Sequence, residues 1–356
     1  MTPRLTDWAL ACAVGLGFAT GILSLVSGRP GQWLVFATHG AAGLWLGLLL
    51  VGKLRRVWPR LVRPGAWGWR TLPGLGALLL ALLALGSGVW WALGGTLVVA
   101  GYNLLNWHIL FGLALILLVS LHMLARARPL RRRDLAGRRQ VLRFGALALA
   151  GAALWPAQQA AVRAAGLPGA QRRFTGSREA GSFSGNAFPA TSWVADAPRP
   201  IPPDRWRLII GGAVASPRSL GYADMLAHTD ELVATLDCTG GFYSTQRWRG
   251  ARVGALLAQA GVAPDARWIS FISFTGYRWS LPLAEARDAL LATHVGGEPL
   301  SHAHGAPARL VAPGRRGVEW VKWVERIEVR VAPDAGQVLS LYTSSFTPRG
   351  RGEATA

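Results

Sequence analysis

Cys238 is the residue of this sequence best placed to bind a metal. An apolar run typical of a β-strand, residues 232–236, ends just before it, and Gly240 and Gly241 follow it. Glycine lets a ligand approach the backbone closely, and a thiolate is a strong ligand for soft metals. The competing interpretation is a buried cysteine that packs as a small hydrophobic residue. We interpret Cys238 as a metal ligand.

The composition divides the chain of 356 residues into two parts. Long apolar segments dominate residues 1–155, and the remainder has the composition of a soluble globular domain. The formal charge of +20 first indicates nucleic-acid binding, but the arginines fall mainly in two blocks between apolar segments. Such blocks are typical of membrane-topology signals, so we expect no nucleic-acid partner. The second cysteine, Cys12, lies in the apolar part, and a structural disulfide with Cys238 is not expected.

Four segments are long and apolar enough to span a bilayer, at about residues 8–26, 33–51, 73–93 and 107–125. Each approaches the ~20 residues that a bilayer core requires, whereas a fifth segment, 141–155, is shorter. The loops after the second and fourth segments are basic, with Lys53, Arg55, Arg56, Arg60, Arg63, Arg70 in one and Arg126, Arg128, Arg131, Arg132, Arg133, Arg138, Arg139 in the other. The positive-inside rule then predicts a multi-pass protein of the inner cell membrane, surrounded by membrane lipid. Its N-terminus is cytoplasmic and, after five crossings, its C-terminal part is extracytoplasmic or periplasmic.

The fifth segment has two interpretations. The run Arg138-Arg139-Gln140-Val141-Leu142-Arg143 before a short apolar core resembles a twin-arginine export signal, which carries folded proteins. The alternative is an arginine pair that only anchors the segment on the cytoplasmic side. We expect export without removal of the segment, which then stays as an anchor.

Three histidines, His39, His108 and His122, lie within or at the edge of the apolar segments, where an ionisable group is costly and usually functional. His108 and His122 are 14 residues apart, so their rings share one helical face about 21 Å apart along the axis. His39 lies at nearly the same depth as His108, and this pair is suited to ligate one haem on the outer side. The alternative is that the histidines only form hydrogen bonds between helices.

The histidine spacing resembles that of bacterial four-helix membrane cytochromes b over roughly residues 8–125. Small residues along these segments leave room for a macrocycle, namely Gly40, Gly43 and Gly112. The resemblance implies one haem b between His39 and His108. A second haem at His122 remains open, because the residue 14 positions after His39 is Lys53 rather than histidine.

From about residue 204 the pattern changes to short strands that alternate with helices. Strands are predicted at 206–210, 232–236, 268–272 and 326–331, and helices at 253–260 and 283–292. This mixed order indicates an α+β domain. Residues 156–203 are rich in Ala, Gly, Ser, Pro and Arg and are predicted to form a linker that becomes an extended arm.

The predicted organisation is multi-domain, with an N-terminal all-α transmembrane four-helix bundle plus a fifth span and a C-terminal α+β domain. The expected boundaries are 1–130 for the four-helix domain, 131–160 for the fifth span, 161–203 for the linker arm, 204–331 for the α+β domain and 332–356 for the tail. The arm contributes to the α+β domain from about residue 185.

Three blocks, in order, resemble the molybdenum-cofactor core of the sulfite oxidase superfamily. One is Cys238-Thr239-Gly240-Gly241, with Trp248-Arg249-Gly250 and Leu256-Leu257-Ala258-Gln259-Ala260-Gly261 after it. Another runs from Gly296-Gly297-Glu298-Pro299-Leu300 through His304-Gly305-Ala306-Pro307-Ala308-Arg309 to Val321-Lys322-Trp323, and a weaker one in the arm is Gly185-Asn186-Ala187-Phe188-Pro189. The resemblance implies a sulfite-oxidase-type fold and a Mo-molybdopterin cofactor with the Cys238 thiolate as a molybdenum ligand.

The same resemblance implies which residues bind the cofactor. The expected ligands of the pterin and its phosphate are His304, Arg309, Lys322, the backbone of Trp320 and Val321, and Asn186 from the arm. Fixed cations and backbone donors are what a buried phosphate requires. His302 and His304 stand at positions i and i+2, which point to opposite faces of a strand, so we do not expect a zinc site.

Candidates for substrate binding or catalysis flank the cysteine or a Gly-Tyr turn. They are Tyr243, Arg247, Arg249, Tyr277 and Arg278. An arginine near an oxo-metal would attract an oxyanion, and a tyrosine could donate a hydrogen bond to the transferred oxygen. Packing or surface positions are the alternative for each of these residues.

These observations together predict a membrane-anchored molybdenum-cofactor oxidoreductase that transfers an oxygen atom on the extracytoplasmic side. Electrons are expected to pass through a b haem to or from the quinone pool or another respiratory carrier. We expect reduction of a small-molecule or protein-bound S-oxide or N-oxide, because only 25 residues follow Val331 and leave no room for the dimerisation domain of true sulfite oxidases. The alternatives are oxidation of a sulfite-like anion, an enzyme whose helices only anchor it, and a non-catalytic membrane receptor without the cofactor.

Overall fold

The computed structural model describes residues 2–63, 65, 68, 71–126, 128–131, 134, 138–191 and 198–347. The chain divides into two compact units, Met1–Gly176 and Ser177–Ala356. Three arginines of the predicted basic loops, Arg70, Arg132 and Arg133, lie outside the described residues.

The first unit is built from long apolar helices. They are α1 (Pro3–Ser24), α2 (Trp33–Leu61), α3 (Leu72–Leu93), α4 (Leu104–Arg126) and α5 (Arg138–Ala164). These five helices are long and apolar enough to cross a membrane, judged by length and composition alone. Each predicted apolar segment therefore coincides with a helix, although α1 ends at Ser24, two residues before the predicted end, and α2 and α5 run well beyond the predicted ends.

The helices of the first unit pack in neighbouring pairs. Helix α1 packs against α2 and α4, α3 against α4, and α5 against α2. The buried cluster between them combines small and large apolar residues, namely Ala9, Ala13, Val14, Trp45, Leu46, Leu49, Ala81 and Leu115. Helix α5 approaches α2 closely, because a Cβ on Gly151 would lie only 2.8 Å from Trp45 Cβ. A short hairpin of β1 (Val98–Val99) and β2 (Tyr102–Asn103), which the sequence patterns do not predict, joins α3 to α4.

The second unit contains two sheets. The six-stranded sheet has the order β11-β10-β7-β3, with β12 paired to β10 and β6 paired to β7. Its strands are β3 (Arg178–Glu179), β6 (Asp230–Asp237), β7 (Phe242–Arg252), β10 (Leu290–Val295), β11 (Glu298–Pro299) and β12 (Arg309–Val311). The five-stranded sheet has the order β5-β4-β13-β8-β9, made of β4 (Arg207–Gly212), β5 (Arg218–Gly221), β8 (Trp268–Ser273), β9 (Arg278–Pro282) and β13 (Val324–Arg330).

Short helices complete the second unit. They are α6 (Tyr222–Leu226), α7 (Val253–Ala260), α8 (Leu283–Asp288) and α9 (Gln337–Thr343). Helix α7 contacts β7 of one sheet and β4 of the other. It buries Val253, Leu256, Leu257 and Ala260, which is the i, i+3, i+4, i+7 spacing of one helical face. The mixed α and β composition predicted for this part of the chain is present.

One predicted element is wrong in part. The helix expected over 283–292 ends at Asp288, and Leu290–Val295 forms strand β10, in which every residue is buried. A strand that is buried on both faces shows no alternation of polar and apolar residues, so periodicity cannot distinguish it from a buried helix.

The predicted arm is partly structured. After α5 the chain forms a 3₁₀ turn at Pro168–Gln171, strand β3, which pairs in parallel with β7, and a second 3₁₀ turn at Gly185–Ala187. The part of the arm at 192–197 lies outside the described residues, as do residues 348–356 of the predicted tail.

Candidate functional site

Cys238 occupies the first position of a tight turn between β6 and β7. Its backbone N–H donates to the Phe242 carbonyl at 2.8 Å, and the Gly241 N–H donates to the Cys238 carbonyl at 3.1 Å. Gly241 has a φ of +94°, a left-handed conformation that glycine adopts without a steric penalty. The turn therefore holds the cysteine at a defined place at the end of a strand pair.

The Cys238 thiol lies among neutral hydrogen-bonding groups. The residue is 8% exposed. The Thr191 hydroxyl oxygen lies 3.2 Å from Sγ, and the Gly240 N–H donates to Sγ at 3.3 Å. Both groups can donate to a thiolate, which is the form that ligates a metal.

A buried ion pair lies beside the cysteine turn. Asp237 is 2% exposed and Arg316 is 4% exposed, and the guanidinium of Arg316 donates to the carboxylate of Asp237. The Ser177 hydroxyl donates to the same carboxylate oxygen at 2.6 Å. Sequence reasoning missed these three residues, and the one available signal was an acid at the end of an apolar strand.

Arg309, on β12, is a buried cation near the cysteine. It is 2% exposed, and its Nη1 donates to the His304 carbonyl at 2.9 Å. Burial lowers the pKa of Arg309 to about 10, and the negative charge of Cys238 acts in the opposite direction. The guanidinium is therefore charged at neutral pH.

The Nε of Arg309 is a buried donor with no hydrogen-bond partner among the residues that the structure describes. A buried cation with an unpaired N–H is unfavourable unless an anion completes it. The backbone folds tightly around this residue, because a Cβ on Gly305, whose φ is +110°, would lie 3.0 Å from Arg309 Cβ. The site therefore fits the anionic part of a bound cofactor.

His304 is a neutral bridge between the arm and the loop before β12. Its Nε2 lies 3.0 Å from the Phe188 carbonyl and must donate to it, so Nδ1 accepts from the Ser301 hydroxyl at 2.8 Å. Burial is the main cause that lowers its pKa to about 4, and the positive charge of Arg309 lowers it further. Both ring nitrogens have protein partners, so His304 links Phe188 to the loop, and its predicted contact with the cofactor stays a prediction.

Lys322 ties the arm to the same loop. Its ammonium donates to the Thr191 carbonyl at 2.8 Å and to the Ala303 carbonyl at 2.5 Å. It lies 5.4 Å from the centroid of the Trp323 ring. Lys322 therefore positions Thr191, whose hydroxyl contacts the Cys238 thiol.

Trp320 and Val321 form the wall next to Arg309. The Trp320 ring centroid lies 5.8 Å from the guanidinium carbon of Arg309, and its Nε1 donates to the Arg315 carbonyl at 3.2 Å. Val321 is fully buried, and its carbonyl accepts from the Leu310 N–H at 2.8 Å. Both residues thus support β12 and Arg309.

Asn186 fastens the arm to the loop after β11. Its Nδ2 donates to the Pro299 carbonyl at 2.9 Å and to Glu298 at 3.3 Å. Its Oδ1 accepts from the Ser301 N–H at 2.9 Å. The side chain therefore organises the segment that leads to His304.

The candidate substrate residues lie in different settings. Arg247 is exposed and pairs with Glu231 at 3.2 Å, and in β7 it lies on the face opposite to the buried Trp248. Tyr243 shares the face of Arg247 by the alternation of the strand. The Tyr277 hydroxyl donates to the Val318 carbonyl at 2.6 Å.

The other two candidate residues, Arg249 and Arg278, lie in different strands. Arg249 is half-buried in β7, opposite Glu231 and His294 in the strand registers. Arg278 pairs with Asp334 at 3.5 Å. By the alternation of β7, Arg249 shares the face of Arg247, whereas Arg278 lies in β9 of the other sheet.

In the first unit, His39 of α2 and His108 of α4 lie together. Their ring centroids are 5.9 Å apart, with the ring planes at 75°. The Nδ1 of His39 bonds to the Gly17 carbonyl at 2.9 Å, and the Nδ1 of His108 bonds to the Ala84 carbonyl at 3.0 Å. Since a carbonyl only accepts, each Nδ1 carries the proton and each Nε2 keeps its lone pair for a ligand.

Of the three glycines predicted to leave room for a macrocycle, Gly112 has open space around it, and Gly40 and Gly43 have neighbours. Gly40 does not leave open space, because a Cβ there would lie 2.3 Å from Trp155 Cδ1, and Gly43 faces Leu85. A Cβ on Gly88 would lie 3.1 Å from His108 Cε1, and one on Gly21 would lie 3.6 Å from His39 Cε1. Gly21 and Gly88 are therefore the small residues beside the imidazoles.

His122 lies on α4 and is half-buried. Lys53, the residue that stands where a matching histidine was sought, forms an ion pair with Asp7 of α1 at 2.8 Å. This position of α2 is therefore occupied by a charge pair between helices.

Comparison with known proteins decides the nature of the second unit. Residues 195–338 match the family described as the oxidoreductase molybdopterin binding domain. These residues are therefore similar to a molybdopterin-binding oxidoreductase domain. The match supports the domain predicted from the cysteine, histidine and arginine blocks and supports the prediction of an oxidoreductase.

The molybdopterin-binding domain is similar to parts of larger enzymes. The chain is 34% identical to mitochondrial sulfite oxidase of Homo sapiens over 167 residues, which cover 37% of this chain and 31% of that protein. It is 31% identical to the NADPH nitrate reductase of Phytophthora infestans over 166 residues, covering 36% of this chain and 18% of that protein. The chain thus spans about a third or less of these relatives.

A solved structure also matches. The sulfane dehydrogenase SoxCD from Paracoccus pantotrophus is 28% identical, with 38% of this chain and 41% of that chain covered and a TM-score of 0.37.

Proposed function

We propose that this protein is a membrane-anchored molybdenum-cofactor oxidoreductase that transfers an oxygen atom to or from its substrate outside the cytoplasm. The observation that carries the proposal is the grouping of the buried Cys238 thiol with Arg309, whose buried Nε has no hydrogen-bond partner in the described part of the chain. Molybdenum, when bound, supplies the exchange of an oxygen atom and two electrons with the substrate. The matched domain family supports this class of cofactor.

The residues of the site have separate roles in this proposal. Cys238 supplies the soft thiolate ligand, and the hydrogen bonds from Gly240 and Thr191 orient its sulfur. Arg309 provides the charge that neutralises the cofactor phosphate. Lys322 holds Thr191 and the loop at Ala303, so it keeps the cysteine pocket closed from the arm side.

We propose reduction of an S-oxide or N-oxide as the physiological direction. The groups that contact the thiol, Thr191 and Gly240, are neutral, so they add no charge that would favour an anionic substrate over a neutral oxide. Arg247, a candidate for attracting an oxyanion, instead pairs with Glu231 on the exposed face of β7, opposite to the buried Trp248. The relatives include both an oxidase and a reductase by name, so the match itself does not favour a direction.

Oxidation of a sulfite-like anion at the same centre is the second candidate. It is favoured by the names of the sulfite oxidases among the relatives. The two candidates differ in the charge of the substrate, and Arg309 is the cation through which an anion near Cys238 would be attracted.

We further propose that one haem b lies between His39 and His108. The two imidazoles approach each other closely, and each keeps an Nε2 lone pair because its Nδ1 is bound to a carbonyl. Gly21 and Gly88 give both rings space. The Lys53–Asp7 ion pair supports one haem rather than two, because it fills the position of a matching ligand for His122.

In this proposal the five apolar helices cross the inner membrane, with the N-terminus in the cytoplasm and the molybdopterin domain outside. Basic residues such as Arg55 and Arg60 near the end of α2 support that orientation. Arg138 and Arg139 at the start of α5 serve as a twin-arginine-like export signal. The haem exchanges electrons with the quinone pool or another respiratory carrier.

Purification of the full chain in detergent tests the proposal. We expect one molybdenum and one iron per chain, a reduced-minus-oxidised spectrum of a b haem, and reduction of dimethyl sulfoxide or trimethylamine N-oxide by reduced benzyl viologen. Sulfite-dependent reduction of ferricyanide without oxide reduction would instead favour the second candidate. Protein without molybdenum would contradict the enzyme proposal, and protein with molybdenum but without iron would contradict the haem alone.

A further inference from the structure

The buried pair Asp237–Arg316 contacts the backbone of the cysteine itself. The Cys238 carbonyl oxygen lies 3.4 Å from Arg316 Nη2 and 3.4 Å from the Ser177 hydroxyl. The same Arg316 donates through Nη1 to Asp237, the residue just before the cysteine. One guanidinium group therefore contacts two successive residues, Asp237 and Cys238.

The backbone around Arg316 also lies directly against the cysteine. Asp237 and Arg316 form an isolated parallel β-bridge. A Cβ on Gly317 would lie 3.0 Å from Cys238 Cα, so only glycine lets the two segments approach this closely. The cysteine turn is fixed to residues 316–317 by side chains and by main-chain packing.

Residues 316–317 are followed within a few positions by Trp320, which lies against Arg309, and by Lys322, which holds Thr191. The chain forms a 3₁₀ turn at Gly317–Glu319 and continues into Trp320 and Lys322. The Asp237–Arg316 pair thus connects the thiolate to the segment that shapes the cofactor pocket.

Joining two segments through a buried ion pair costs desolvation free energy. Removing two charges from water costs several kcal/mol per ion, and apolar residues of similar volume often give equal or greater stability. The ion pair instead defines the relative orientation of the two segments, because a guanidinium group has fixed donor angles. Its geometry here is directed at a carboxylate and at the cysteine carbonyl.

We propose that Asp237 and Arg316 are positioning residues that set the orientation of the Cys238 thiolate toward bound molybdenum. The inference rests on the proposed role of Cys238 as the molybdenum ligand. Second-sphere groups of this kind commonly change activity by about 10- to 100-fold when they are removed.

The neighbouring Arg315 offers a matched control. It pairs with Glu285 at 2.6 Å and with the buried Glu319 at 2.8 Å, and no described contact joins its side chain to the cysteine turn. Arg315→Met and Arg316→Met therefore each remove an arginine that forms an ion pair with a carboxylate. Only Arg316→Met removes a contact to Cys238.

The experiment compares Arg316→Met, Arg316→Lys and Arg315→Met in the full chain. Molybdenum and pterin content, the Mo(V) electron paramagnetic resonance spectrum after titration with dithionite, and kcat and KM with dimethyl sulfoxide are measured. We expect Arg316→Met to keep the cofactor, to shift the Mo(V) g-values and to lower kcat by about 10- to 100-fold with KM unchanged. Arg316→Lys should recover part of both changes, and Arg315→Met should keep the wild-type spectrum.

If Arg316→Met does not fold because Asp237 is left as an unpaired buried charge, the double variant Asp237→Asn/Arg316→Met removes both charges. A wild-type Mo(V) spectrum and kcat in either cofactor-loaded variant would overturn the inference, as would the same spectral shift in Arg315→Met. Cys238→Ser separates this outcome from failure of the proposed function. If Cys238→Ser leaves the Mo(V) spectrum unchanged, the proposed ligand role itself is wrong.

Discussion

The guanidinium carbon of Arg309 lies 5.2 Å from the centroid of the Trp248 ring. The same carbon lies 5.8 Å from the centroid of the Trp320 ring, so the cation contacts two indoles. Its Nη1 donates to the His304 carbonyl, and within the described ranges its Nε has no hydrogen-bond partner. The aromatic contacts stabilise the buried positive charge of Arg309, and its Nε–H can donate a charge-assisted hydrogen bond to an anion.

Arg309→Met should therefore weaken cofactor binding without unfolding the domain. A hydrogen bond to a charged group contributes about 1.5–3 kcal/mol, which corresponds to roughly a 10- to 100-fold loss of affinity. Arg309→Lys should lie between, because lysine keeps the charge but lacks the planar fork. The measurement is pterin content per chain from the fluorescence of the oxidised, extracted pterin. Arg326→Met, at a half-exposed position of β13, is the control, and equal pterin loss in both variants would contradict the assignment.

Thr191→Val should lower the midpoint potential of molybdenum. The Thr191 hydroxyl lies 3.2 Å from Cys238 Sγ, and a hydrogen bond to a ligating sulfur draws electron density away from the metal. A net contribution of about 1 kcal/mol corresponds to roughly 40 mV for one electron. Thr191→Ser keeps the hydroxyl and should keep the wild-type potential. A redox titration followed by Mo(V) resonance measures both, and identical potentials in all three proteins would count against the contact.

His39→Ala and His108→Ala should each abolish the b-type spectrum of the membrane fraction, since each removes one axial ligand. His122→Ala should keep it, because Lys53 and Asp7 form an ion pair where a matching ligand would stand. The measurement is the absorption difference between dithionite-reduced and oxidised membranes. Loss of half of the haem in His122→Ala would show a second haem and contradict the single-haem proposal.

The stability of the protein should depend on pH through His304. Its folded pKa is about 4, below the ordinary value of 6.5, so between these values the unfolded chain binds more protons. Stability is therefore fully present above pH 6.5 and is lost as the pH falls toward 4, by no more than about 3 kcal/mol. His304→Gln can keep both hydrogen bonds and cannot titrate. Denaturant unfolding at pH 7, 6 and 5 should show a difference between wild type and variant that shrinks at low pH, and a constant difference would contradict the prediction.

The grouping of Cys238 with Arg309 could be predicted from the sequence because their blocks are local and ordered. Cys238 precedes two glycines that make its turn possible, and Arg309 follows Gly305, which lets the loop close against it. The same blocks do not reveal what His304 does, because its partners are the Phe188 carbonyl and the Ser301 hydroxyl rather than residues of a motif.

Other parts of the site depend on contacts that no local pattern encodes. Asp237 and Arg316 are 79 positions apart and look in the sequence like ordinary charges. Arg247 follows the cysteine closely, but the alternation of β7 turns it to the exposed face. Among the elements, Leu290–Val295 was taken as part of a helix because a fully buried strand has no period of two.

X-ray absorption at the molybdenum edge of the purified full chain, compared with Cys238→Ser, tests the central claim most directly. The account predicts that the wild-type molybdenum is bound by the sulfurs of the pterin and by one protein sulfur. Cys238→Ser should retain folded protein and pterin while its molybdenum has one sulfur neighbour fewer and oxide reduction is lost. An unchanged number of sulfur neighbours in Cys238→Ser would contradict the account.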